Sequence, residues 1–143
     1  MKKILIFSIL VFSIIYTPPL HAQNNGQGII QNLEGSPVIL RDDKPRPVEK
    51  NMTLQKNDTL RTLTDKCRLD FEINEKVQIK LFPLGECVLK ELTADKIYIK
   101  LKTGNALVVL KPSQNSPLSS LQIETPNALI TLRSSSFLGM IKT

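Results

Sequence analysis

The chain has 143 residues and a formal charge of +6, from 19 basic and 13 acidic side chains. It has no tryptophan, two cysteines and one histidine, His21. This length suits one domain with one core. A lone histidine near the N-terminus leaves His-assisted Ser or Cys nucleophiles, and the usual His-containing metal sites, without their central residue.

The chain opens Met1-Lys2-Lys3, runs apolar over residues 4–16, and continues Thr17-Pro18-Pro19-Leu20-His21-Ala22-Gln23. A short basic start, an apolar run of about a dozen residues and a small residue before a polar stretch predict a secretory signal peptide, residues 1–22, cleaved after Ala22. A membrane-spanning helix needs about 20 apolar residues, and Pro18-Pro19 end this run early. An uncleaved N-terminal anchor is the alternative. No later apolar segment is long enough to span a membrane.

Cleavage removes His21, Lys2 and Lys3, and the charge falls to +4. The expected address is periplasmic or secreted, where nucleic acid is not an expected partner and an anionic envelope surface is. The four remaining aromatics, Phe71, Phe82, Tyr98 and Phe137, poorly supply a stacking platform for sugars or bases.

Residues 23–27 are polar and read as a disordered N-terminus, and residues 28–143 as one β domain. Residues 28–33 form a first strand. Glu34-Gly35-Ser36 turns the chain into a second strand, residues 37–41, in which Pro37 is tolerated at the start or on an edge. Asp42-Asp43-Lys44-Pro45 is a turn, since Asp bonds forward to the backbone and Pro presets φ. Short extended pieces follow at residues 46–48 and 52–54. Lys56-Asn57-Asp58 turns into residues 59–62.

Residues 67–73 alternate, with Cys67, Leu69, Phe71 and Ile73 on one side and Arg68, Asp70 and Glu72 on the other. A side-chain period of two with one apolar face marks a half-buried strand. After Asn74-Glu75-Lys76, residues 77–81 alternate again. Pro83-Leu84-Gly85 breaks the chain before a strand at residues 87–92, whose facing is ambiguous because Val88 and Leu89 are both apolar. Ile97, Ile99 and Leu101 alternate with Tyr98, Lys100 and Lys102, and Thr103-Gly104-Asn105 leads to residues 106–110. That pair reads as a hairpin with a glycine loop. Residues 111–120 are irregular. Strands follow at residues 121–125 and 128–133, divided by Pro126-Asn127, and a last apolar piece covers residues 137–141.

No window after the apolar start shows a sustained 3.6-residue period. Short strands between turn residues predict an all-β domain, as a sandwich, a barrel or a solenoid.

The order of these pieces resembles the FecR domain family. Glu34-Gly35-Ser36-Pro37-Val38-Ile39-Leu40-Arg41 matches its opening glycine, strand and basic residue. Asn57-Asp58-Thr59-Leu60-Arg61-Thr62 matches a Gly-Asp turn followed by Thr, with Asn in place of Gly. The alternating strands at residues 67–73 and 77–81, a glycine hairpin at residues 100–109, and the segment from Thr125-Pro126 through Arg133-Ser134-Ser135-Ser136-Phe137 follow in family order. Ser134 and Ser135 replace the Gly and Thr of the family's last box. The resemblance covers about residues 28–141. It implies an all-β, solenoid-like fold and an envelope address, and supplies no catalytic residues. Family members with known roles regulate sigma factors through a cytoplasmic arm that this chain lacks.

Four groups of side chains are candidate sites. Asp58 closes a turn by accepting backbone N–H bonds; as a cation ligand it would be a lone carboxylate, which suits calcium poorly. Cys67 and Cys87 are an even pair in an oxidising compartment, which suggests a disulfide. A three-strand meander over residues 67–91 would hold them beyond bridging range, a solenoid would not, and two buried free thiols are the alternative. Lys96, Lys100 and Lys102 share an outward face with Tyr98, either as a docking stripe for an anionic glycan, lipid headgroup or acidic partner, or as solvated lysines guarding a sheet edge. Ser134, Ser135 and Ser136 lack an activating base.

These residues lead to a non-catalytic protein without cofactor or metal: an envelope binding or scaffolding module acting by protein–protein contact, with an open strand edge as the contact. The alternatives are the periplasmic sensor arm of a sigma-factor/anti-sigma-type system and an anionic glycan or lipid binder.

Overall fold

The computed structural model describes residues 26–112, 118–133 and 136–143. Residues 1–25, which hold the expected signal peptide, residues 113–117 of the stretch read as irregular, Ser134 and Ser135 lie outside the described residues. Gly26 and Gln27, read above as part of a disordered start, are anchored. The Gly26 N–H donates to Leu92 O, and Gln27 exchanges bonds with Asn74 through its N–H (2.9 Å to Oδ1) and its carbonyl (2.8 Å from the Asn74 N–H).

Among the described residues, thirteen strands form two open sheets. They are β1 (Gly28–Glu34), β2 (Val38–Arg41), β3 (Lys44–Pro47), β4 (Thr53–Leu54), β5 (Thr59–Arg61), β6 (Arg68–Ile73), β7 (Val77–Leu81), β8 (Glu86–Leu92), β9 (Lys96–Thr103), β10 (Asn105–Leu110), β11 (Ser120–Glu124), β12 (Leu129–Leu132) and β13 (Phe137–Lys142). The six-stranded sheet runs β13-β10-β7-β6-β1-β4 and the seven-stranded sheet β12-β11-β9-β8-β5-β2-β3. The architecture is a β-sandwich. All pairs are antiparallel except β9 with β11, so the solenoid alternative is not the one adopted.

The alternation read from sequence is the alternation of burial. β6, β7, β9 and β10 each place every second residue in the core. One apolar cluster joins both sheets, with Ile30, Leu69, Phe71 and Ile79 facing Ile39, Leu60, Leu89 and Ile97. Burying such side chains is worth roughly 1.5–3 kcal/mol each. The ambiguous facing of β8 is resolved by a register shift between Leu89 and Glu91. The extra residue returns Leu92 to the core side, as a β-bulge does.

Turn chemistry sets the hairpins. Asp42-Asp43 joins β2 to β3 as the two-residue turn that matches strand twist, and Asn74-Glu75-Lys76 joins β6 to β7, with Asp42, Asp43, Asn74 and Glu75 at positive φ. The first turn is therefore tighter than the four residues read from sequence, and Pro45 lies inside β3.

Two sequence expectations are corrected. β9 and β10 are not a hairpin. β9 pairs with β8 and β11, and β10 with β7 and β13 in the other sheet. Gly104 carries the chain between the sheets at φ +86°, where a Cβ would stand 2.6 Å from Gly85 Cα. Only a residue without a side chain permits that back-to-back approach. Likewise β6, β7 and β8 are not one meander, because β8 crosses to the seven-stranded sheet.

That second crossing decides the cysteines. Cys67 immediately precedes β6 in one sheet, beneath Gly35, and Cys87 lies in β8 of the other, opposite Leu60 and Leu101. Both are buried and free, so the candidate disulfide is not formed. Burial, and then the neighbouring Glu86 charge, push the Cys87 thiol up to about 12. A thiol so protonated is a poor nucleophile. The intact mass is expected to be the same with and without reductant. Both thiols should resist a thiol reagent in buffer and react in denaturant; a native mass short of two hydrogens would overturn this arrangement.

Candidate functional site

The flanks of β5 carry two of the three polar side chains buried among the described residues. Asp58, Thr62 and Thr125 are the buried polar residues among those described. Asp58, Leu60 and Thr62 share a parity, so an inward Leu60 brings both polar neighbours inward. The alternation itself put Asp58 on the core side.

Asp58 is 1 % exposed. Its Oδ2 accepts the Gln55 N–H (2.7 Å), which closes the turn. Arg41 completes its coordination, with Nε donating to Oδ1 (2.8 Å) and Nη2 to Oδ2 (2.7 Å). Nη2 also donates to Thr53 O (2.9 Å) in β4. The guanidinium thus joins the start of β5 in one sheet to β4 in the other. The hydrogen bonds it donates to Asp58 raise the Arg41 pKa against the opposing effect of burial. Both Asp58 oxygens are engaged by these donors, and no group of three or more metal-ligating side chains occurs among the described residues. Sequence reasoning missed Arg41 as the partner. The signal was available: Arg41 shares its parity with buried Ile39, and a cation on the apolar side of a strand requires a buried acid.

Thr62 closes the other end of β5. Its hydroxyl donates to Phe82 O (2.6 Å) and accepts from the Gly85 N–H (2.8 Å), while its own N–H donates to Gly85 O (2.9 Å). These bonds fix the loop that Gly104 packs against.

Lys96, Lys100 and Lys102 do share the outward face of β9, with Tyr98 between them. They neither line an edge nor stand free, since β9 lies between β8 and β11. Lys96 pairs with Glu91 (2.9 Å), Lys100 with Glu124 (2.7 Å) and Lys102 with Glu86 (2.8 Å). Tyr98 also donates to Glu124, and Arg61 to Glu86 (2.8 Å). The stripe is neutralised in place, so its charge is not free for an anionic surface. The three acids were unread because they come from β8 and β11, the strands that flank β9.

The last feature is an uneven treatment of sheet edges. β3 carries Pro45 and Pro47, which cannot donate to a ladder. β4 is two residues long, and β1 beside it is bulged at Gln31. These are standard ways of blunting an edge. β12 and β13, which bound the two sheets on the other side, have neither device. They expose Leu129 (60 %), Leu138 (71 %) and Met140 (47 %), and their inward Ile130, Leu132 and Phe137 are only partly buried against the core.

Two measurements follow. Arg41→Ala leaves Asp58 buried and unpaired, so it is expected to cost about 3 kcal/mol in urea unfolding, whereas Arg61→Ala, which breaks an exposed pair, should cost under about 1 kcal/mol. Burial opposes the charge on Glu72 and Glu86, but Lys111 and Gln78 on the first, and Lys102 and Arg61 on the second, hold both carboxyls below the ordinary 4.5. The Lys100 and Tyr98 bonds do the same for Glu124. Depressed carboxyls contribute stability above their unfolded pKa and lose it as pH falls through the folded one. The unfolding midpoint should therefore hold from pH 7 to 5 and drop below about pH 4, with a shallower acid limb in Glu86→Gln.

No protein-family model, curated protein or solved structure matches the chain.

Proposed function

We propose that the chain is an exported, FecR-like, non-catalytic module that binds or scaffolds an envelope protein through the open β12/β13 side of its sandwich. The observation that carries this reading is the contrast between blunted and bare edges. A strand edge with unpaired N–H and C=O groups and exposed leucines is a template for a further strand. A protein that blunts two edges and leaves two bare has a use for the bare pair. The FecR-like reading is supported by the order of the motifs, and its first two meet in space as the Arg41–Asp58 pair. Export is supported by the basic start and apolar run of residues 1–16. The anionic-surface reading is not retained, because Lys96, Lys100 and Lys102 are occupied by glutamates.

The test joins address to contact. The full chain is exported in its producing cell with a photoreactive residue at Leu129 or Leu138, and with one at Lys44 on the blunted edge as control. The expected result is a species beginning at Gln23 in the soluble envelope fraction, with discrete cross-linked products from Leu129 or Leu138 and none from Lys44. A full-length species retained at the inner membrane would favour the sensor-arm alternative. Absence of products from both bare edges would overturn the contact reading.

A further inference from the structure

The outer face of the six-stranded sheet is divided. On β6 and β7 it carries Asp70 with Lys80 (3.5 Å), and Glu72 with Lys111 (3.0 Å) and Gln78 (2.8 Å). The rows then change character. Gln78 is followed by Val109 and Leu138, and Lys80 by Leu107 and Met140. The polar half is internally satisfied, and the apolar half ends on the bare strand β13.

β13 has a pattern that reads the same in both directions. In Phe137-Leu138-Gly139-Met140-Ile141, two large apolar residues stand on each side of a glycine. Outward Leu138 and Met140 flank Gly139, as do inward Phe137 and Ile141, and the Phe137 ring lies over Gly139, a known way of supporting a glycine in an edge strand. The backbone phase is also fixed. The Thr143 N–H donates to Gly104 O across the β10–β13 pair. By alternation, residues 137, 139 and 141 bond inward to β10, while the N–H and C=O groups of Leu138, Met140 and Lys142 point to the open side.

We propose that the chain pairs with a second copy of itself through β13, antiparallel and centred on Gly139. In this register Leu138 lies opposite Met140 of the second copy, and Phe137 opposite its Ile141. The outward-pointing backbone groups of Leu138 and Met140 face their counterparts in hydrogen-bonding phase. Both outer-face residues meet apolar residues, and Lys142 falls opposite Ser136, so no like charges are opposed. The interface is isologous, as a two-fold dimer requires. It also brings the half-buried ends of the two sandwiches together beside Phe137. This inference rests on the reading that the bare edges make protein contacts, and it names the partner of one of them.

The test is sedimentation equilibrium on the chain recovered from the exporting host, at about 100 µM, well above a Kd of about 10 µM. The wild type is expected at twice the chain mass. Met140→Pro removes an outward-pointing donor together with the Met140 side chain, so its average mass should fall well toward the monomer's, with the dissociation constant weakened at least about tenfold. A second pair of variants guards against misfolding. Leu138→Lys with Met140→Lys, and Leu138→Glu with Met140→Glu, should each be monomeric alone and form a mixed dimer when combined, because opposite charges then face each other. A wild-type monomer at this concentration, a dimer unaffected by these substitutions, or charge variants that do not combine would overturn the inference. Photo-cross-linked products from Leu138 heavier than a dimer of the chain, alongside a wild-type monomer, would overturn the second-copy inference alone and leave the edge-contact reading standing.

Discussion

The Arg41–Asp58 pair is the constraint on which the arrangement of the two sheets depends. Asp58 cannot stay charged in the core without donors, and the chain supplies them from the Gln55 backbone and the two arms of Arg41. Arg41 in turn reaches a β4 carbonyl in the opposite sheet. Such a pair need not add much net stability, because desolvation offsets its attraction. Its effect is to fix register. A one-residue slip of β5 would send Asp58 and Thr62 to the surface and bring Thr59 and Arg61 into the core. Arg61 would then lose Glu86, and the Phe82–Gly85 loop would lose the Thr62 hydroxyl that holds it.

The two outer faces put charge to different uses. On the seven-stranded sheet, glutamates from β8 and β11 meet lysines from β9, and the charges balance within the sheet. On the six-stranded sheet the ion pairs stop at β7, and neutral apolar side chains continue to the edge. A strand accepted there, as proposed above, would meet backbone groups and apolar side chains more than charges.

Much of the local structure was legible. The strict alternations of β6, β7 and β9 fixed both strand and facing, and Asn74-Glu75-Lys76 marked its turn. Strand partners were not legible. Thr103-Gly104-Asn105 reads alike whether the chain folds back onto its neighbour or crosses to the other sheet, and only the closeness of Gly85 separates the two. The same gap misplaced β8 and with it the cysteines. The Asp58 turn was visible from local chemistry, whereas its partner Arg41, 17 residues earlier, was visible only as a residue of the wrong polarity on a core-facing parity. The lysine stripe was read correctly as a face and incorrectly as an edge, because sheet order is a long-range property that a single strand does not encode.

The prolines of β3 and the brevity of β4 also limit how far an assembly could grow. A sheet with two competent edges can add subunits indefinitely and become a filament. Here each sheet offers one such edge, and the opposite one acts as a chain terminator. Within the six-stranded sheet, a second copy accepted beside β13 ends the extension, because that sheet of the copy has spent its one competent edge in the same act. The blunted edges therefore keep either sheet from growing strand by strand into a continuous fibre.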